Sequence, residues 1–290
     1  MKYLDQVQRG VEYIEERLDA DLETADVASE AGVSHWHFQR IFKALTHETL
    51  KTYIRSRRLA VALDRLLSTE RRIVEIALEA GFQSQESFTR VFKEAFGITP
   101  AAYRRRGSQH QFVRKPGFDG DYLRHLQADV SLEPELLEQP ELLLVGMQTH
   151  CFGVGSHKNN IARQLPPLWA AFLEHLHEVP DAVPGQCYGV ICPRQEGAEE
   201  LVYLAGIAVR GEVMPPPGMQ LRRLAGGRYA RFTHRGRVER LDQTVNYVYG
   251  NWLPRSGLRH GGEADIEFYG AGYHPTAESS VIHYAIPVQQ

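Results

Sequence analysis

The chain has 290 residues, 43% hydrophobic and 24% charged, which suits two folded domains, each with its own core, and excludes a chain disordered by composition. Charges interrupt its apolar runs well short of the ~20 residues that span a bilayer, and its first residues lack a signal-peptide core, so no membrane segment and a cytoplasmic location are expected. The net charge of −3 would argue against a nucleic-acid partner if it were evenly spread, but residues 35–108 hold 14 Lys/Arg against 7 Asp/Glu, whereas residues 1–34 hold 3 against 9.

Within the basic block a phrase occurs twice. "VASEAGVSHWHFQRIFKAL" at 27–45 and "IALEAGFQSQESFTRVFKEAF" at 76–96 match at a shift of 49, and of 50 after the inserted Gln83, pairing Gly32 with Gly81, Ser34 with Ser84, Phe38 with Phe88, Arg40 with Arg90 and Phe42 with Phe92. Two copies of one supersecondary unit are the economical reading. Each copy reads as a short helix (Val27 to Ala31; Ile76 to Ala80), a glycine able to take the left-handed conformation, a serine able to cap, and a second helix. Phe38, Ile41, Phe42 and Leu45, and in the second copy Phe88, Val91, Phe92 and Ala95, fall at the spacing of a buried stripe. The opposite face carries His35, Trp36, Gln39, Arg40 and Lys43, or Gln85, Glu86, Thr89, Arg90 and Lys93. A solvated face is the plain alternative. Two copies with glycine, cap and polar face in register favour helix-turn-helix units reading double-stranded DNA, where Arg pairs with guanine and Gln with adenine.

Between the copies, residues 49–69 have leucines and alanines at helical spacing without glycine or proline, as a continuous linking helix should. It would hold the two reading helices at a fixed separation, to match major-groove faces ~34 Å apart, so one monomer could read two adjacent segments. Arg55, Arg57 and Arg58 are candidate phosphate contacts, or else partners of acidic neighbours. The second copy closes on "ITPAAYRRR", with Thr99 as cap and Pro100 at the first helical position.

"SHWHFQRIFK", "YIRSRRL" and "SFTRVFKEAFGITPAAYR" make residues 26–104 resemble the DNA-binding domain of AraC/XylS-family transcription regulators. The resemblance implies two helix-turn-helix motifs joined by a long helix, with RNA polymerase as a further partner. Similarity to the Rob-type branch assigns base contacts to Trp36, Gln39 and Arg40 and to Gln85, Glu86, Thr89 and Arg90. Glu86 departs from the Gln usual there.

Glycines, polar residues and a proline mark 108–134 as a linker between a DNA-binding domain at 1–107 and a second domain at 135–290. In the second domain "ELLLVGMQTHCF" reads as a strand and "IARQLPPLWAAFLEHLHE" as a helix broken early by Pro166 and Pro167; "QCYGVIC" and "ELVYLAGIAV" read as strands. The order recurs from 219 to the end. The expected class is therefore an all-α double helix-turn-helix followed by an α+β module of two pseudo-symmetric strand-helix-strand-strand units. Cys151, Cys187 and Cys192 form no CxxC pair and read as small buried apolar residues.

Alternation along "ADIEFYG" puts Glu267 on one strand face with Asp265 and Tyr269, opposite Ile266 and Phe268, while Trp169 sits mid-helix among apolar neighbours. Glu267 could be a surface residue and Trp169 core packing. Alternatively, a carboxylate in an aromatic pocket would suit a cationic or amphipathic small-molecule effector. "AGGRYARFTHRG", "YVYGNWLPRSG", "ADIEFYG" and "IHYAIPV" resemble the gyrase-inhibitor-like effector-binding domain, which implies an effector site at Trp169, Glu267 and Tyr269. No GxSxG, HExxH or phosphate-loop motif occurs, and Gly-Val-Gly at 153–155 is too short for a nucleotide loop, so neither enzyme nor cofactor is expected. A gyrase-inhibitor-like hydrolase using Trp169 and Glu267, or an architectural DNA-binding protein, are the alternatives. The reading that carries most of these features is a transcription regulator, an activator, that binds DNA as a monomer.

Overall fold

The structure, a computed structural model, describes residues 2–106, 115–153, 158–194, 200–261 and 264–290. The first part of the linker and most of the Gly-Val-Gly lie outside the described residues. Two compact units divide the chain, one of residues 1–128 with 249–251 and one of 129–248 with 252–290.

The first unit is helical: α1 (Lys2–Glu15), α2 (Thr24–Glu30), α3 (His35–Thr46), α4 (Leu50–Ser68), α5 (Ile73–Glu79), α6 (Gln85–Phe96), α7 (Pro100–Arg106) and α8 (Gly120–Ala128). The repeated phrase becomes α2–α3 and α5–α6, and local chemistry accounts for their corners. Gly32 and Gly81 take φ of +70° and +74°, a region that is cheap for glycine alone. The Ser34 and Ser84 hydroxyls accept from the backbone N–H of His37 (3.3 Å) and Ser87 (3.1 Å), each cap worth about 1 kcal/mol. Phe38, Phe42, Phe88 and Phe92 are fully buried. The repeat extends into packing, since Phe42 meets Tyr53, and Phe92 meets Tyr103, with ring centroids 5.6 Å apart in both cases.

The expected stripe is corrected at its edges: Ile41, Leu45 and Val91 are half-buried, and Ala95 is exposed. At the end of α6 the seam passes to Phe96, whose ring lies 4.7 Å from Phe92.

Helix α4 is continuous, as its composition predicts, but two of the three arginines read as candidate phosphate contacts, Arg57 and Arg58, face inward. Arg57 clamps both oxygens of Glu15, from Nε at 2.8 Å and Nη2 at 2.7 Å, and donates from Nη1 to the Lys115 carbonyl at 2.5 Å. Arg58 donates to the carbonyls of Leu18 (2.8 Å) and Ala20 (2.6 Å). The Arg57 guanidinium is engaged by a carboxylate and a carbonyl and that of Arg58 by two carbonyls just beyond α1, so both are directed to the protein's own groups. Gly81 lies against the same place, where any side chain would collide with the Leu18 carbonyl and the Arg58 guanidinium. Inside the stretch read as a linker, Phe118, Tyr122, Leu123 and Leu126 are buried, and Lys115 pairs with Glu48 at 2.5 Å with both side chains almost fully enclosed.

The second unit is one curled antiparallel sheet with helices. Its strands are β1 (Glu135–Gln139), β2 (Leu142–Phe152), β3 (Ala182–Pro193), β4 (Glu200–Val209), β5 (Gln220–Leu224), β6 (Gly227–Arg235), β7 (Arg259–His260), β8 (Asp265–Tyr269) and β9 (Val281–Gln289); α9 (Ile161–Glu174) and α10 (Leu241–Tyr247) are its α-helices. The order β1-β6-β9-β8-β3-β4-β2-β5 is a palindrome of two units, β2-α9-β3-β4 and β6-α10-β8-β9, joined where β3 pairs with β8. This is the expected pair of strand-helix-strand-strand units. The expected break in the helix is absent: α9 runs through Pro166 and Pro167. Each proline forfeits one backbone donor. Leu165, Leu168, Trp169 and the fully buried Phe172 pack this helix into a core with Val145, Ile207 and Tyr203, and that burial holds it.

Candidate functional site

Two sites emerge, one in each unit. On the first, the start of α3 exposes Trp36, Gln39 and Arg40. The Arg40 guanidinium lies 4.6 Å from the centre of the Trp36 ring, and the Trp36 side chain, 65% exposed, contributes little to any core. The Gln39 amide nitrogen and the Thr24 hydroxyl each lie 2.8 Å from His35 Nε2, in hydrogen-bond contact at the helix start. On α6, Gln85, Glu86 and Arg90 are exposed and Thr89 is half-buried. The Glu86 carboxyl is held below its ordinary value by hydrogen bonds from its own backbone N–H and from the Ser84 hydroxyl, so it remains an acceptor. All seven predicted residues therefore lie on the first two turns of the second helix of a motif, the part that such motifs present to a major groove.

In the second unit Glu267 lies at the centre of the sheet, between Gly189 of β3 and Tyr284 of β9 in register, and is 6% exposed. The hydroxyls of Tyr203 and Tyr269 both donate to its Oε2, at 2.5 and 2.7 Å. Trp169 does not touch the carboxylate; its Nε1–H donates to the Tyr203 oxygen at 3.1 Å, while its ring meets Tyr269 edge-on at 5.0 Å. Tyr273 stands 4.6 Å beyond Tyr269. The three predicted residues are thus brought together, with Tyr203 as the residue that joins them.

Burial raises the pKa of Glu267, the two tyrosine hydroxyls pull it down, and neighbouring Asp265 pushes it up. Burial and the negative charge of Glu267 drive Tyr273 to about 12 and Cys151 to about 11, and hold Tyr203 and Tyr269 well above their ordinary value. These hydroxyls therefore stay protonated and donating. No cation forms an ion pair with Glu267 among the described residues, so the site is a buried carboxyl without a countercharge, ringed by aromatic side chains.

Sequence reasoning missed Tyr203, Tyr273 and Gly189. A Cβ at Gly189 would strike both the Tyr203 hydroxyl and the Glu267 carboxylate, so the contact exists because that residue is glycine. The signal available was a glycine inside the strand "CYGVIC", which marks a close approach. Asp265, also on this face, is engaged by His260 at 2.9 Å and by the Tyr284 hydroxyl at 2.5 Å. No group of three or more His, Cys, Asp or Glu is placed to hold a metal ion, and no helix is long and apolar enough to cross a membrane, among the described residues.

A pair of DNA-reading motifs and a sheet with a buried acidic aromatic site on one chain define a transcription regulator with its own small-molecule-binding domain. Residues 27–106 match the helix-turn-helix domain family and residues 132–289 the GyrI-like small molecule binding domain family, and the chain belongs to the Rob-like regulators of the AraC class. It is 31% identical over 263 residues to the transcriptional regulator Rob of Salmonella typhimurium, covering 89% of this chain and 87% of that one. Its first part is 43% identical over 106 residues to the regulatory protein SoxS of the same organism, 37% of this chain and 99% of that one. Among solved structures, SAV2435 bound to tetraphenylphosphonium is similar with a TM-score of 0.45 and 16% identity, over 54% of this chain and 94% of that one.

Proposed function

We propose that this regulator reads an asymmetric two-part DNA site as a monomer and activates transcription through RNA polymerase in the cytoplasm, under control of a cationic, aromatic or amphipathic effector held at Glu267. Trp36, Gln39 and Arg40 read one half-site and Gln85, Glu86, Thr89 and Arg90 the other. Trp169 and Tyr269 supply ring surface to the effector. The observation that carries the effector reading is the buried Glu267 carboxylate, whose partners among the described residues are two neutral hydroxyls and no cation. A bound cation replaces the missing countercharge, and ring faces add about 0.5–2 kcal/mol of cation–π attraction. If the effector acts through DNA affinity, the coupling is reciprocal and of order 1–3 kcal/mol.

The test is selection of bound duplexes from a random library by the full-length chain, with and without hydrophobic cations. A two-part motif spanning about two helical turns, read once per monomer, is the expected result. Arg40→Ala and Arg90→Ala should each relax one base position by about 1–3 kcal/mol, in different halves. Equal weakening on every sequence would demote either arginine to a phosphate contact. An affinity for cations that survives Glu267→Gln would remove the effector reading.

A further inference from the structure

Between the two helix-turn-helix motifs of the first unit lies a cleft of about 420 Å³, lined by Leu22, Glu23 and Thr24, by Lys51, Ile54, Arg55 and Arg58 of α4, and by Phe82. Two of its lining residues stand next to the beginnings of the reading helices. Thr24 is tied to His35, the first residue of α3, and Phe82 lies three residues before Gln85, the first of α6, with its ring 5.1 Å from Phe88.

The cations of this cleft are of two kinds. Arg58 is consumed by the carbonyls of Leu18 and Ala20. Lys51 and Arg55 stand one turn apart on the same face of α4, both exposed, with no hydrogen bond or ion pair among the described residues. Duplex DNA that offers major-groove faces to two reading helices necessarily passes its sugar-phosphate backbone across the space between them, ~34 Å of helix axis per turn. The duplex carries one charge per ~1.7 Å of axis, ~3.4 Å along each strand.

We propose that this cleft takes the phosphodiester backbone between the two half-sites, with Lys51 and Arg55 as its contacts and the Glu23 carboxylate as a like-charged brake on affinity. The assignment rests on both reading helices facing the same duplex. Its contacts carry no base information; they hold the duplex in register, so the distance between half-sites is set here.

The experiment uses full-length wild type, the double variant Lys51→Ala/Arg55→Ala, and Glu23→Gln, on a selected duplex and on one of random sequence. In a plot of log affinity against log salt, the double variant should lose about 0.9 of slope per lost phosphate contact, close to two in all, on both duplexes. Glu23→Gln should bind more tightly than wild type on both. Duplexes with neutral methylphosphonates between the half-sites should weaken wild type about tenfold or more and the double variant far less. An unchanged slope, or an equal methylphosphonate penalty in the two proteins, overturns the assignment. If the double variant melts early, wild type and Glu23→Gln still decide: no methylphosphonate penalty and no gain from Glu23→Gln overturn it. Failure of two-part reading would appear separately, as a selection without a motif, while slopes on the random duplex still report on the cleft.

Discussion

Trp169 and Glu267 are joined through a single hydroxyl: the Tyr203 oxygen accepts from the indole of Trp169 at 3.1 Å and donates to the Glu267 carboxylate at 2.5 Å. A ligand that moves the indole must therefore disturb the carboxylate. Aromatic surface and carboxyl are joined in one hydrogen-bond chain.

The first prediction concerns pH. Burial raises Glu267 above its ordinary value of 4.5, so the folded chain keeps this proton to higher pH than the unfolded chain. The stability it contributes is fully present below the unfolded value and is lost as pH rises through the raised folded value. Glu267→Gln preserves an acceptor for both tyrosines and cannot ionise. Thermal melts should show wild type and variant nearly equal at about pH 4 and the variant more stable at about pH 8. An equal decline in both proteins would assign that pH dependence elsewhere. Cation binding to wild type should strengthen over the same rise.

Gly189→Ala would place a methyl group into the space held by the Tyr203 hydroxyl and the Glu267 carboxylate. Overpacking of a filled core costs about 1–3 kcal/mol. Urea denaturation should show that loss, with cation affinity reduced in parallel. Unchanged stability would mean that the strand pair β3–β8 yields more readily than its register suggests.

Arg57→Ala should behave as a structural lesion. It strips Glu15 of both its charged hydrogen bonds and the Lys115 carbonyl of its donor, in a setting where the arginine side chain is 17% exposed. A loss of about 2–4 kcal/mol is expected, with the salt slope of DNA binding unchanged in the folded fraction. A reduced slope with normal stability would return Arg57 to the phosphates.

The two repeats differ at one corner in an instructive way. After α6 the chain turns at Gly97 with φ +71°, while the equivalent residue after α3 is His47, held at φ +57°. A left-handed residue that is not glycine costs roughly 1–2 kcal/mol, part of which glycine returns as unfolded-chain entropy. His47→Gly should therefore stabilise the first unit by about 0.5–1 kcal/mol, read as a higher melting temperature with DNA affinity unchanged. A destabilised variant would mean that the His47 side chain holds more than its backbone costs.

Much was legible in the letters because it is local. The caps Ser34 and Ser84, the glycines at positive φ, the phenylalanine seams, the exposed Arg40 and Arg90, and the placing of Glu267 with Tyr269 all follow from helix and strand periods within a few residues. The α9 prolines show where local rules mislead, since a packed apolar face outweighed two missing backbone donors. By itself, then, the sequence determined the double motif, the pseudo-symmetric strand-helix-strand-strand plan and the residue types facing outward. Only the tertiary structure decided that Arg57 and Arg58 turn inward to Glu15, Leu18 and Ala20 while Arg55 stays out. It also decided that Tyr203 closes on Glu267 across 64 residues of chain, over a glycine on a third strand. These are pairings between distant segments, set by which buried group lacks a partner once the chain has closed, and no period along the chain encodes them.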